Sequence, residues 1–205
     1  MYSLKVFHML KIMMSLLWTL MLLNGTSQAH ELSAEEGAVT KIAIHIQSQD
    51  YAHPIKLWRY GQESWVSQGP LLEAAANKVL NAEFGAGNAL MCDAKPSASN
   101  LLIWLRPRMF YNPQIQRYYG KVIAAAYTAD GKPLANYVGQ AQKQGMLGVY
   151  QELDLANVYQ SAMKELVLKM KSDSKFQAAL DGKTSANPCA IVNLLPEPKI
   201  QFMSF

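Results

Sequence analysis

The chain is poor in the residues from which most catalytic and metal centres are built. It carries two cysteines, four histidines and 15 carboxylates in 205 residues. No Cys-x-x-Cys pair occurs, which excludes the common dithiol redox site. No G-x-S-x-G elbow occurs, which removes the usual serine-hydrolase reading. No HExxH spacing occurs, and no two carboxylates fall in a recognisable acid/base motif. The one glycine pair that resembles a phosphate loop, Gly85 and Gly87, follows a helical pattern rather than a strand, so it reads as a helix stop. These absences leave no catalytic set and no cofactor to name. The expectation is a protein that works by binding.

A long apolar run is also missing after residue 23, which argues against a stable membrane anchor. The one run that exists is at the start. Lys5 and Lys11 precede and open a 12-residue apolar stretch, Ile12 to Leu23, broken only by Ser15 and Thr19. Asn24 and Gly25 follow, and then the small-x-small sequence Ser27-Gln28-Ala29. This is the layout of a secretory signal peptide cleaved after Ala29, and the run is too short for a bilayer span. No cysteine stands at the cut for lipidation. Removing residues 1–29 leaves residues 30–205, a length that suits one domain. With Lys5 and Lys11 gone, the charge falls from +4 to +2, no footprint for nucleic acid. The expected location is the periplasm. An oxidising compartment favours a Cys92–Cys189 disulfide closing about a hundred residues.

Patterning then gives the elements. Lys41 to Gln47 alternates, with Ile42, Ile44 and Ile46 on one face, and predicts a half-buried strand. Ile55 to Tyr60 predicts a short strand ending at Gly61. Pro70 opens a helix through Leu72, Ala76, Val79 and Leu80, stopped by Gly85. Leu101 to Leu105 is a continuous apolar run and predicts a central strand, with Met109 to Pro113 leading into a turn. Tyr118 to Thr128 and Leu134 to Gln142 flank Asp130-Gly131, a hairpin signal. Leu155, Tyr159, Ala162, Leu166 and Met170 mark one face of a long helix from Leu153 to Lys171. Ser174 to Leu180 predicts a short helix, and Ala190 to Leu195 a last strand. The expected fold class is α+β: a single mixed and largely antiparallel sheet with two main helices packed on one face.

Two stretches suggest a site. Arg106 to Tyr119 mixes arginine with aromatics, types enriched in interface cores. Arg106, Arg108, Tyr111, Arg117 and Tyr118 are the candidate partner-binding residues. The partner would be an envelope protein, a glycan strand or a lipid head group. The bland alternative is that the aromatics are core and the arginines solvated. The second stretch is the mature terminus. A terminal His30 would offer amine and imidazole to copper, with His45 or His53 as a second ligand. Against copper, Glu31 follows His30 and no His-rich or Met-rich run supports it.

The order of elements, with the phrases YYGKVIAAAYTADGKPLANYVGQAQ (118–142) and LDLANVYQSAMKEL (153–166), resembles a group of envelope domains. That group comprises the TolB amino-terminal domain, the penicillin-binding-protein activator lipoproteins and the auxiliary lipoproteins of lipid-transporting ABC systems. The resemblance spans Lys41 to Leu195. It implies a non-enzymatic adaptor that binds other envelope proteins. Many members are lipoproteins, a feature this chain's cleavage site lacks.

Overall fold

The computed structural model describes residues 40–93, 98–148, 150–182 and 186–195. Strand β1 (Thr40–Ile46) leads through a short helix, α1 (Ser48–Ala52), into a hairpin of β2 (Pro54–Arg59) and β3 (Gln62–Ser67). Helix α2 (Gln68–Phe84) and strand β4 (Ala89–Met91) follow. Then come the long strands β5 (Ser99–Asn112), β6 (Arg117–Thr128) and β7 (Pro133–Gln144). Helices α3 (Gln151–Ser172) and α4 (Ser174–Leu180) and a 3-10 turn (Pro188–Leu194) complete the order. The main sheet runs β4-β1-β5-β6-β7, and β2-β3 forms a separate two-stranded ribbon. β1 is parallel to both neighbours, and β5, β6 and β7 are antiparallel. The fold is α+β with a mixed sheet, as the patterning predicts.

The alternation in β1 explains the layering. Ile42, Ile44 and Ile46 point to one face and join Leu101, Ile103 and Leu105 of β5 beneath α2 and α3. Leu72, Ala76, Val79 and Leu80 of α2, and Tyr159, Ala162, Leu166 and Met170 of α3, close this core. Burying each leucine or isoleucine contributes roughly 1.5–3 kcal/mol. On the other face Ala43, Leu102, Trp104, Ala125 and Tyr127 pack under Val192 of the 3-10 turn. The Cys92–Cys189 disulfide forms at the border of that cluster, with a Cα–Cα separation of 5.4 Å. Among the described residues, no helix is long and apolar enough to cross a membrane.

Three expectations are corrected. The segment 190–195 is not a strand: Pro188 and the Asn187 side chain, which accepts from the Cys189 N–H, start a 3-10 turn instead. Proline presets the helical φ, and the Asn oxygen takes up an end N–H. The stretch from Met109 is not a turn: β5 continues to Asn112, paired to Arg117. The turn lies at 113–116, where the Asn112 side chain accepts from the N–H groups of Gln114 and Ile115. Helix α2 starts at Gln68, so Pro70 sits inside the first turn rather than at its first residue. Its missing N–H would have no intrahelical partner there.

β5 outruns β1. The last paired residues are Ile46 and Leu105. Beyond them β5 loses its strand neighbour on that side, which is where a sheet accepts Pro107. α1 and the β2–β3 ribbon lie over this stretch. They set up the site below.

Candidate functional site

The ribbon turns tightly. Tyr60 and Gly61 have φ of 40° and 85°, the positive pair that a two-residue hairpin turn requires. Opposed residues share a face, so Lys56 and Trp65 lie on one side with Trp58 and Glu63. That side is outward. Trp58, Tyr60 and Trp65 are each half exposed or more. Lys56 forms an ion pair with Glu63, and its ammonium stands 5.9 Å from the Trp65 ring centroid. The inward side carries Ile55, Leu57 and Val66. It packs on Tyr111, Tyr118, Leu147, Leu155 and Val158, a second small core.

A groove of about 1090 Å³ opens between β3 and the start of α3. Trp65 and Val66 form one wall. Leu147, Tyr150, Glu152 and Leu153 form the other, and Pro70 and Leu71 of α2 contribute to the lining. Tyr150 and Leu153 are exposed at 70% and 60%, so the second wall also offers apolar surface. Single exposed apolar residues are ordinary; here Trp65 and the pair Tyr150 and Leu153 stand on opposite walls of one cleft.

None of the sequence-predicted residues is in the described lining of the groove. Tyr118 is fully buried and packs against Tyr111, the rings tilted by 46° with centroids 4.6 Å apart. The Tyr111 hydroxyl donates to the Gly145 carbonyl at 3.2 Å and accepts from the Leu147 N–H at 3.3 Å. The Tyr118 hydroxyl donates to the Met146 carbonyl at 3.1 Å. Burial, reinforced by Tyr111 and Asp154, pushes the Tyr118 phenol far above its ordinary pKa, so it stays a neutral donor. The two tyrosines therefore pin 145–147, the base of the α3 wall. Arg106 donates to Asp50 of α1 at 2.9 Å, and Arg108 reaches the same carboxylate at 3.4 Å. They anchor the helix that leads into the ribbon. Arg117 is on the sheet surface and donates to Gln142. Phe110 is partly exposed and stacks near Tyr119, with centroids 6.0 Å apart.

The groove residues themselves escaped sequence reading. QESWVS has no clean alternation of apolar and polar residues. The readable signal was the two-residue Tyr60-Gly61 spacing between two short runs.

Of the copper candidates, His30 lies outside the described residues. His53 is exposed at the end of α1. His45 is half-buried on the second sheet face, edge-on to Trp104 at 5.0 Å. Among the described residues, no group of three His, Cys, Asp or Glu is placed to hold a metal. Burial holds the His45 imidazole below its ordinary pKa, with Asp93 opposing. The folded protein therefore binds its proton less readily than the unfolded chain. The unfolded form takes up the proton as pH falls through about 6.5, so stability declines on that side. Thermal midpoints from pH 7.5 to 5.5 should fall further in the wild type than in His45→Gln. Parallel curves would show that His45 is not the group responsible.

No protein-family model matches the chain, and no curated protein matches it in sequence. Among solved structures it is similar to a crystallised chain from Caulobacter crescentus CB15 described as a "putative lipoprotein". That alignment covers 56% of this chain and 85% of the other, at 13% identity and a TM-score of 0.31. A likeness at that level leaves the functional argument to the geometry of the groove.

Proposed function

We propose that this chain is a non-catalytic binding or adaptor protein of the bacterial cell envelope, acting in the periplasm through the groove between β3 and α3. The observation that carries this reading is a cleft with exposed apolar side chains on both sides, Trp65 on one and Tyr150 with Leu153 on the other. Both are built on a rigid base: the buried tyrosine pair fixes one wall, and the arginine–Asp50 contacts hold α1, which leads into the other. Rigid support with an apolar, open surface suits recognition, because little ordering cost remains at binding. The signal-like start, the disulfide and the likeness of residues 118–142 and 153–166 to envelope adaptors support the location and the role.

A photo-crosslinking residue placed at position 65 or 153 in the periplasmic protein tests this. Adducts with an envelope component are expected from both positions. They should be absent from position 168, an exposed leucine on the same helix outside the groove lining. Equal labelling from all three, or none from 65 and 153, would defeat the assignment.

A further inference from the structure

The outer strands of the two sheets, β4, β7, β2 and β3, are treated differently, and β2 carries Pro54, Lys56 and Arg59. β4 is a blunt edge of three residues. β7 begins with Pro133, and α3 side chains occupy its backbone: Glu165 accepts from the Gln140 N–H at 2.9 Å, and Lys169 donates to the Val138 carbonyl at 2.6 Å. These are the devices by which sheets prevent unwanted pairing. β3 has none of them. It is six residues long, without proline, lysine or arginine, and its register with β2 runs without a bulge. Among the described residues no strand pairs with its second edge. An antiparallel pair satisfies one side of each strand and leaves alternate N–H and C=O groups of the other side pointing away. The groove runs along β3, from Glu63 to Ser67.

We propose that β3 is a receptor strand, and that its occupant is an extended, basic peptide segment of another envelope protein, added to the ribbon as a third strand. This rests on the binding reading above and names its partner chemistry. Main-chain hydrogen bonds to β3 supply affinity, and pockets on alternate side chains supply choice. The described lining carries two charged residues, Glu63 and Glu152, and no lysine or arginine. Glu63 is shared with Lys56. Glu152 stands on the far wall, where a lysine or arginine of the incoming strand meets it. The apolar side chains of that strand meet Trp65 and Leu153.

The test uses the full secreted protein and an acetylated Lys-Val repeat octapeptide, titrated by calorimetry. Three other probes accompany it: a Glu-Val octapeptide, the Lys-Val octapeptide with every amide N-methylated, and chitotetraose. The Lys-Val peptide is expected to bind saturably. Trp65→Ala and Glu152→Lys should each weaken it by about tenfold, and the Glu-Val peptide by at least as much. The N-methylated peptide should lose binding, since its side chains remain and its donors do not. Equal binding by the N-methylated peptide would overturn strand addition. Failure of the Lys-Val peptide, or binding of chitotetraose alone, would overturn the peptide assignment. Crosslinks from positions 65 and 153 would survive either result, whereas their loss would remove the binding reading itself.

Discussion

A Cys92→Ala/Cys189→Ala double variant should unfold at a lower urea concentration, with about 4–5 kcal/mol less stability than the wild type. The two cysteines are 97 residues apart in sequence, and a bridge over so long a loop removes much freedom from the unfolded chain. The folded side adds a specific consequence. Cys92 follows β4 at one border of the main sheet, and Cys189 lies in the 3-10 turn that covers its second face. The bridge holds Val192 over Ala43, Leu102, Trp104 and Tyr127. Without it, a short turn with few buried side chains must stay docked by itself. Unfolding followed by far-UV circular dichroism and by tryptophan fluorescence separates the two effects. A loss near the full figure with coincident curves means the bridge stabilises the whole domain. A loss below about 1 kcal/mol, with fluorescence changing early, would mean that it tethers only the 3-10 cover.

The elements legible in the chain carry either a period, as β1 and α3 do, or a strong local signal, as the apolar run of β5 and the Asp130-Gly131 turn between β6 and β7 do. β1 alternates over seven residues because one face meets α2 and α3. α3 shows its buried face at Leu155, Tyr159, Ala162, Leu166 and Met170 because the whole helix lies on the sheet. The 3-10 turn at Pro188–Leu194 imitates a strand. Ala190 to Leu195 is apolar through contact with the second sheet face, and apolarity without period does not tell a strand from a covering turn. β4 and β3 were hidden for different reasons. Three residues are too few for any period, and β3 splits its apolar residues between an inward Val66 and an outward Trp65.

The stretch singled out in the sequence, Arg106 to Tyr119, is not part of the described groove lining, and its residues take supporting contacts instead. The Arg106–Tyr119 stretch is unusual because β5 there runs past β1 and must be stabilised by other means. Arg106 and Arg108 converge on Asp50, and Tyr111 and Tyr118 satisfy the main chain of 145–147. Polar groups at a buried strand edge need partners, and long side chains supply them. The same residue types serve an interface, so composition alone could not assign them.

Gly139→Ala should cost about 3 kcal/mol, the largest effect expected of a single added methyl group here. A Cβ at 139 would stand 2.0 Å from the Ala162 carbonyl oxygen, 2.8 Å from the Leu166 Cβ and 2.9 Å from the Leu166 N. Two of those atoms are helix backbone, so no rotamer change can relieve the clash. α3 must move away from β7. The Glu165 and Lys169 contacts that cover the β7 edge would stretch with it. Gly120→Ala makes the useful contrast. Its nearest obstacle is the Val158 Cγ1 at 2.3 Å, a single side-chain atom rather than helix backbone. It should cost less, about 1–2 kcal/mol, and leave the β7 edge covered. Urea denaturation of both variants ranks the two clashes. Hydrogen exchange at the Gln140 amide reads the edge directly. Faster exchange in Gly139→Ala than in Gly120→Ala, at matched stability, would show that close helix–sheet approach is what keeps β7 protected. Equal exchange would mean that Glu165 still reaches the β7 edge from the displaced helix. The contrast between a guarded β7 and an open β3 would then depend on a flexible side chain rather than on the glycine.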